Sequence, residues 1–431
     1  MGWSMQARRF FGDAWRFLGL AVTRHRGPSE GNRGFVRTID PVIELNGISN
    51  INGMWRSLLM RIDLHREPAD VEEVIRQCVD ALQDGNVLVL PTETVYGVGA
   101  IISHSKAVER LLRAKGRPPG QPFSLAIAGI EMLHDFSPDL SSLAQRLARR
   151  CWPGPVTLVL PVDVEMPVLR ALPETVRDAV LAGGMIGFRV PHHPVTQTIL
   201  GELNEPIVLT SANRSGRPEA LTVDETLRSL GDAVDVALDD GPTVGTLPST
   251  VVRVDGDSWS ILREGSVKRE TIRKLTAKII LFVCTGNTCR SPMAEVICEK
   301  LLADRLRCMP EELEHRGYVV MSAGIAAGAD QPASYYADAT VQHRGLSLQG
   351  HRSQLLGDTQ VRYADHIFAL TRGHREAILS YWPDADTRLS VLRTDGGDIT
   401  DPIGGSLGEY AACADRIEEE IENRLDRILA H

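Results

Sequence analysis

The chain has 431 residues, 43% of them hydrophobic and 24% charged. That length suits two to four domains and excludes a single small module. Its 56 acids outnumber 47 bases for a net charge of −9, which excludes a uniformly basic nucleic-acid binder, and no run of about 18 apolar residues is present to span a membrane. Seven cysteines are too sparse for a disulfide scaffold and fit a reducing cytoplasm.

Residues 1–66 hold ten arginines and five acids, a net of +5 that leaves −14 for the remainder. Arg8, Arg9, Arg16, Arg24 and Arg26 alternate with Trp3, Phe10, Phe11, Trp15 and Phe17. No apolar core with a small-residue cleavage site follows, so a secretory signal fits poorly; the stretch reads as a poorly ordered leader, with a membrane-surface or targeting helix as the other reading. Met5, Met54 and Met60 are alternative starts. A helix is expected at 67–84, where Val71, Val74, Ile75, Cys78, Val79 and Leu82 keep helical spacing and Gly85 supplies the stop. A strand then enters the turn PTETVYG. Apolar runs at 157–162, 185–190, 206–210 and 249–254 alternate with helical stretches at 105–115, 137–151 and 221–231. These describe a mixed α/β domain over 67–270.

Residues 267–277 are charged and helical in pattern. They read as a surface connector, with 271–277 the linker proper. A second α/β domain occupies 278–431. Its strands are expected at 279–283, 319–325, 364–370 and 389–392, and its last helix at 406–430. Alternation of strands and helices predicts a doubly wound parallel sheet.

The second domain opens on a strand followed by Cys284-Thr285-Gly286-Asn287-Thr288-Cys289-Arg290-Ser291-Pro292. A short loop between a strand and a helix N-terminus turns several backbone N–H groups inward, a cradle for a dianionic oxyanion. Gly286 is expected to permit the tight turn. Arg290 can grip two phosphate oxygens at once. The positive field favours a thiolate at Cys284, and the Ser291 hydroxyl can donate to it. A leaving group needs an acid. Two aspartates compete, Asp401 in the loop DITDPIGGS and Asp384 in Trp382-Pro383-Asp384. The latter follows the cysteine by 100 residues and reads as a helix-ending turn.

On these residues, 278–431 resembles the low-molecular-weight protein-tyrosine phosphatase family. The resemblance implies that Cys284 is the nucleophile that becomes phosphocysteine, that Arg290 binds the phosphoryl group, and that Asp401 is general acid and then base. Asn287 and Ser291 would hold the loop, and Cys289 would stand ready to form a protective disulfide with Cys284. Thr288 matches the protein-arginine phosphatase branch, whose tyrosine-directed relatives carry a bulky aliphatic residue there. Ile403 departs from the aromatic common at its position. The expected substrates are phosphorylated proteins, with phosphoarginine favoured over phosphotyrosine.

In the first domain PTETVYGVGA places hydroxyls and one carboxylate at a strand end; RAKGRPPGQPFSL, PGPVTLVL, GFRVP, TSANRSGRP, STVV and ILREG follow in order, and each of the last five pairs a β-like run with a small, hydroxyl or cationic residue. Lys115, Arg117, Arg189 and Arg263 can together neutralise a triphosphate. Ser211, Asn213, Ser249 and Thr250 can bond a base, ribose or amino acid. This set resembles the YrdC family of threonylcarbamoyl-AMP synthases. The resemblance implies a twisted, open α/β fold that joins ATP, L-threonine and bicarbonate for adenosine modification in tRNA. It places Thr92, Thr94, Thr157 and Arg189 at the threonine pocket and Lys115, Arg117 and Arg263 on phosphates. Ser124, Ser211, Asn213 and Ser249 would line the nucleotide and carbamoyl region. Gly116 stands where a second basic residue is usual. Magnesium is implied only with ATP, and no protein metal site is expected. The whole then reads as a cytoplasmic bifunctional enzyme serving the tRNA-modification machinery. The competing reading is an RNA-binding YrdC module joined to a tyrosine phosphatase or to a non-catalytic phosphate sensor.

Overall fold

The computed structural model describes residues 59–65, 71–118 and 120–430, together with a short strand at Glu44–Leu45. The chain falls into two compact units that divide between Arg269 and Glu270. Most of the expected leader lies outside the described residues, including all of its clustered arginines and aromatics.

The first unit is built on one twelve-stranded mixed sheet. Its strands are β1 (Glu44–Leu45), β2 (Met60–Asp63), β3 (Leu88–Leu90), β4 (Gly97–Ile101), β5 (Ser124–Ala126), β6 (Val156–Pro161), β7 (Leu181–Ala182), β8 (Met185–Arg189), β9 (Ile207–Ser211), β10 (Val236–Asp239), β11 (Thr250–Asp255) and β12 (Ser258–Arg263). The order is β1-β2-β10-β3-β4-β9-β5-β8-β6-β11-β12, with β7 paired to β8. Strand β2 corrects the expected start of this domain. It runs parallel to β10, Met60 opposite Val236, and Arg61 forms an ion pair with Asp239 on that neighbour. Residues 60–63 therefore belong to the sheet and not to the leader. The helix Val71–Gln83 buries Val74, Ile75, Cys78, Val79 and Leu82, whereas Val71, expected on the same face, is exposed at its start. The helix expected at 137–151 begins only at Ser142, because the Ser141 hydroxyl accepts from Ala144 N at 3.2 Å and caps it there.

The second unit holds β13 (Lys278–Cys284), β14 (Tyr318–Gly324), β15 (His366–Ala369) and β16 (Leu389–Val391), ordered β14-β13-β15-β16. All three pairings are parallel. Every residue of β13 is buried, as a central parallel strand covered on both faces requires. Phe282 stacks at a tilt on Phe368 of β15, 5.5 Å between ring centres. Burial of one such ring stabilises by about 1.5–3 kcal/mol.

Two expectations change here. The connector is a helix, Arg269–Thr276, and it buries Ile272 and Leu275, so it is packed structure and not a free linker. The terminal helix breaks in two, Leu407–Glu422 and Leu425–Leu429. At the break, the buried Arg424 guanidinium donates to the carbonyls of Val391, Leu392 and Arg393.

Candidate active sites

In the second unit, β13 delivers Cys284 to its C-terminal end, and the helix Arg290–Leu306 begins six residues later with Cys289 as its cap residue. Ser291 Oγ lies 2.9 Å from Cys284 Sγ, and Asn287 N donates to that sulfur at 3.3 Å. The left-handed position of the loop is Asn287, at φ 54°, and not Gly286 as the sequence suggests. A Cβ on Gly286 would meet nothing closer than Thr288 Oγ1 at 3.6 Å, so the turn does not depend on that glycine.

Asn287 holds its unusual conformation through its own bonds. Its Nδ2 donates to Ser291 Oγ at 3.0 Å and Ser322 Oγ at 2.8 Å. Its Oδ1 accepts from Gln354 N at 2.9 Å, and its carbonyl accepts from His351 Nε2 at 2.8 Å. With Cys284 Sγ, which accepts from its backbone N–H, five partners fix one residue, and that fixes the loop.

Arg290 is buried, donates to Ile399 O at 3.1 Å, and forms an ion pair with Asp401. The structure thus brings Cys284, Arg290, Ser291 and Asp401 together. Asp384 stays apart. Its side chain is 78% exposed and its ion-pair partner is Arg388 at 3.8 Å, while Trp382 caps the helix Arg372–Tyr381. Cys284 and Cys289 are both free thiols, so the implied disulfide is not formed. Cys289 Sγ instead donates to Ser334 Oγ at 3.2 Å and lies 3.4 Å from Tyr410 OH.

Sequence reasoning passed over His374. It is buried, with Nε2 2.9 Å from Thr285 Oγ1 in the loop. Burial, assisted by the nearby Arg290 charge, pushes its imidazole down to about 4, so it is neutral at pH 7. No motif marked it, because it lies 90 residues from Cys284 and reaches the loop only through the sheet.

The first unit contains a cleft of about 800 Å³. Ten of the twelve residues singled out by motif line it: Thr92, Lys115, Arg117, Ser124, Thr157, Arg189, Ser211, Asn213, Ser249 and Arg263. Thr250 does not, because its buried hydroxyl donates to Val267 O at 2.7 Å. Thr94 does not either. It is buried behind the wall, where its Oγ1 lies 2.9 Å from Thr92 Oγ1 and accepts from Arg189 Nη2 at 2.9 Å. Arg189 is anchored further by Gly154 O at 3.3 Å and by an ion pair with Glu93 at 2.9 Å. Burial of Glu93 opposes its ionisation, but the Arg189 charge prevails and holds the carboxyl below its ordinary range. Thr157 Oγ1 lies 3.0 Å from Ser249 Oγ, and Arg263 donates to Ser249 O at 2.9 Å.

Lys115 ends a helix, Ser105–Lys115, that stops at Gly116 in the left-handed conformation. Its buried Nζ donates to the carbonyls of Ser211, at 2.6 Å, and Asn213. Burial pushes the amine down to about 8. The Arg117 guanidinium stacks 4.7 Å over the Phe123 ring. Arg217, Arg253 and Glu219 also line the cleft and were missed by motif.

Comparison with known proteins gives both halves a family. Residues 80–265 match the Sua5/YciO/YrdC family model, described as "Telomere recombination". Residues 279–430 match the model of the low molecular weight phosphotyrosine protein phosphatases. A threonylcarbamoyl-AMP synthase from Photobacterium profundum is 36% identical over 195 residues, which are 44% of this chain and 98% of that protein. A protein-arginine-phosphatase from Geobacillus stearothermophilus is 36% identical over 154 residues, 35% of this chain and 95% of that protein. The chain belongs to both families. A longer relative, the Bacillus subtilis threonylcarbamoyl-AMP synthase, is 32% identical over 219 residues, and this chain spans 61% of its length. The threonylcarbamoyl-AMP synthase unit thus carries the cationic cleft, and the low-molecular-weight phosphatase unit carries the cysteine loop. Both are enzyme families, one of transferases and one of phosphatases. Among the described residues, no helix is long and apolar enough to cross a membrane, and no group of three His, Cys, Asp or Glu is placed to hold a metal.

Proposed function

We propose that the first unit condenses L-threonine, bicarbonate and ATP to threonylcarbamoyl-AMP and pyrophosphate, for adenosine modification in tRNA. The second unit hydrolyses phosphorylated proteins, with phosphoarginine preferred. The seven cysteines are all free thiols, which suits a reducing cytoplasm.

For the synthase, the observation that carries the reading is the cleft itself. Hydroxyls (Thr92, Thr157, Ser249) and cations (Lys115, Arg117, Arg263) line one cavity large enough for an amino acid and a nucleotide. Lys115→Ala and Arg189→Ala should each lower kcat/KM for pyrophosphate release by about 10–100-fold, the scale of a lost charge-assisted contact. Equal activity in wild type and both variants would remove the phosphate site from this cleft.

The depressed Lys115 adds a pH dependence. Below about 8 the amine is charged and attracts phosphate; above it the proton is lost. Nucleotide affinity should therefore fall as pH rises from 7 to 9. Lys115→Arg, charged throughout, should flatten the fall. Calorimetric titration across that range reads it, and an unchanged slope in the arginine variant would mean another group titrates.

For the phosphatase, the carrying observation is the pairing of Arg290 with Asp401 beside Cys284. Cys284 attacks phosphorus while Arg290 holds the phosphoryl oxygens, and Asp401 protonates the departing nitrogen or oxygen. Water, deprotonated by the Asp401 carboxylate, then splits the phosphocysteine, returning the thiolate and releasing phosphate.

Thr288 supports the phosphoarginine preference. It sits half-buried in the loop, its carbonyl is fixed by Ser334 N at 2.8 Å, and its Oγ1 lies 3.7 Å from Cys289 Sγ. A hydroxyl there suits a polar, planar leaving group, whereas a bulky aliphatic packs better on a phenyl ring. Thr288→Ile should shift the kcat/KM ratio toward phosphotyrosine by about 10–200-fold, the usual scale for reshaping a pocket. Matched phosphoarginine and phosphotyrosine peptides test this, and wild-type preference for phosphotyrosine would reverse the assignment.

A further inference from the structure

The synthase cleft contains one carboxylate that the reaction described above does not use. Lys115, Arg117, Arg189, Arg217, Arg253 and Arg263 line it, and Glu219 is the single acid among the described lining residues. Glu219 Oε2 is sealed from solvent and has no hydrogen-bond partner. A buried, unpartnered carboxylate oxygen is costly, and such groups are normally completed by a ligand, an ion or water.

The position of Glu219 is fixed on both sides. Two residues before it, the Arg217 carbonyl accepts from Asn213 Nδ2 at 2.6 Å. One residue after it, the Ala220 carbonyl accepts from Tyr96 N at 3.4 Å, which ties the segment to the residue just before β4. The Glu219 charge acts on both Lys115 and Arg263, yet its Oε2 accepts from neither. The carboxylate therefore lies among the cations of the cleft without being consumed by them.

A fixed negative charge among phosphate-binding cations opposes a triphosphate, unless a cation stands between them. Magnesium travels with nucleoside triphosphates, keeps several waters, and takes one or two protein carboxylates together with phosphate oxygens. A single carboxylate is thus a sufficient protein share. We propose that Glu219 is the carboxylate that receives the magnesium ion entering with ATP. This rests on the ATP-dependent reading of the cleft.

The test uses the full chain and α,β-methylene-ATP, whose α–β linkage resists cleavage. Its binding is measured by calorimetry with saturating magnesium and with the metal chelated. Wild type should bind the magnesium complex more tightly than the metal-free nucleotide. In Glu219→Gln the magnesium needed for half of that gain should rise by about 10–100-fold, the range for weakened metal ligation. The metal-free nucleotide should bind this variant as well as wild type or better, because a repulsive charge is gone. Glu219→Asp, with its carboxylate retained, should keep part of the magnesium gain, and unchanged melting temperatures would show that all three proteins fold. Equal tightening with and without magnesium would reduce Glu219 to a counter-charge and overturn the proposal. So would no change in either condition. Failure of wild type to bind nucleotide at all would instead overturn the ATP reading, and this inference with it.

Discussion

Cys284→Ser should abolish phosphoarginine hydrolysis, by about 10⁴-fold or more, and leave ATP-dependent pyrophosphate release at the wild-type rate. The magnitude follows from chemistry. A serine hydroxyl is scarcely ionised at neutral pH, and removing a covalent nucleophile is among the largest single-residue losses known in catalysis. The geometry makes the variant a clean one. Cys284 is buried at the end of β13, and its sulfur lies 2.9 Å from Ser291 Oγ and accepts from Asn287 N. A serine fits the same space, and the Asn287 bonds that fix the loop run to Ser291, Ser322, Gln354 and His351. Phosphate should therefore still bind while turnover stops. The synthase is spared because every residue assigned to its cleft lies between 92 and 263, within the unit that ends at Arg269. The assay pairs para-nitrophenyl phosphate and a phosphoarginine peptide with pyrophosphate release, on one preparation. Residual phosphatase turnover above about 1% would remove Cys284 from the mechanism.

What could be read in advance was what lies close together in sequence. Cys284 to Ser291 is one loop, so its composition announces the chemistry, and the strand before it is a plain apolar run. The synthase residues were legible for another reason. Most sit in short motifs at or beside a strand end, Lys115 and Arg117 at a helix end, and the sheet brings those ends around one cleft. Residues that act across the sheet left no local trace. His374 reaches Thr285 over 89 positions, and Glu219 reaches the cleft from a loop whose sequence differs little from any surface turn. Thr94 shows the opposite limit. Its motif marked it for the threonine pocket, but the bend at 93–95 turns it behind Thr92, where its hydroxyl accepts from Arg189. Strand β2 was hidden because its four residues sit in a basic stretch, and only pairing with β10 reveals them as sheet.

Asp401→Asn should slow hydrolysis of substrates with poor leaving groups by about 10²–10⁴-fold, whereas Asp384→Asn should leave the rate nearly unchanged. The two aspartates look alike in sequence, and Asp384 even sits in a Trp-Pro-Asp triplet. Placement separates them. Asp401 pairs with Arg290, the residue that also holds the loop to Ile399 O, so it stands beside the phosphoryl seat. Its second oxygen accepts from Ile403 N at 3.2 Å, which sets the carboxylate's direction within the DPIGG turn. Binding of a phosphoryl group would draw Arg290 to the phosphate oxygens and leave Asp401 to face the departing atom. Leaving-group dependence is the distinguishing readout. A good leaving group such as para-nitrophenolate needs little protonation, so the asparagine variant should lose less on it than on phosphoarginine. Loss of the ion pair alone would weaken phosphate binding equally for both substrates. An equal loss on both would therefore assign Asp401 to holding Arg290 and not to protonating the departing atom.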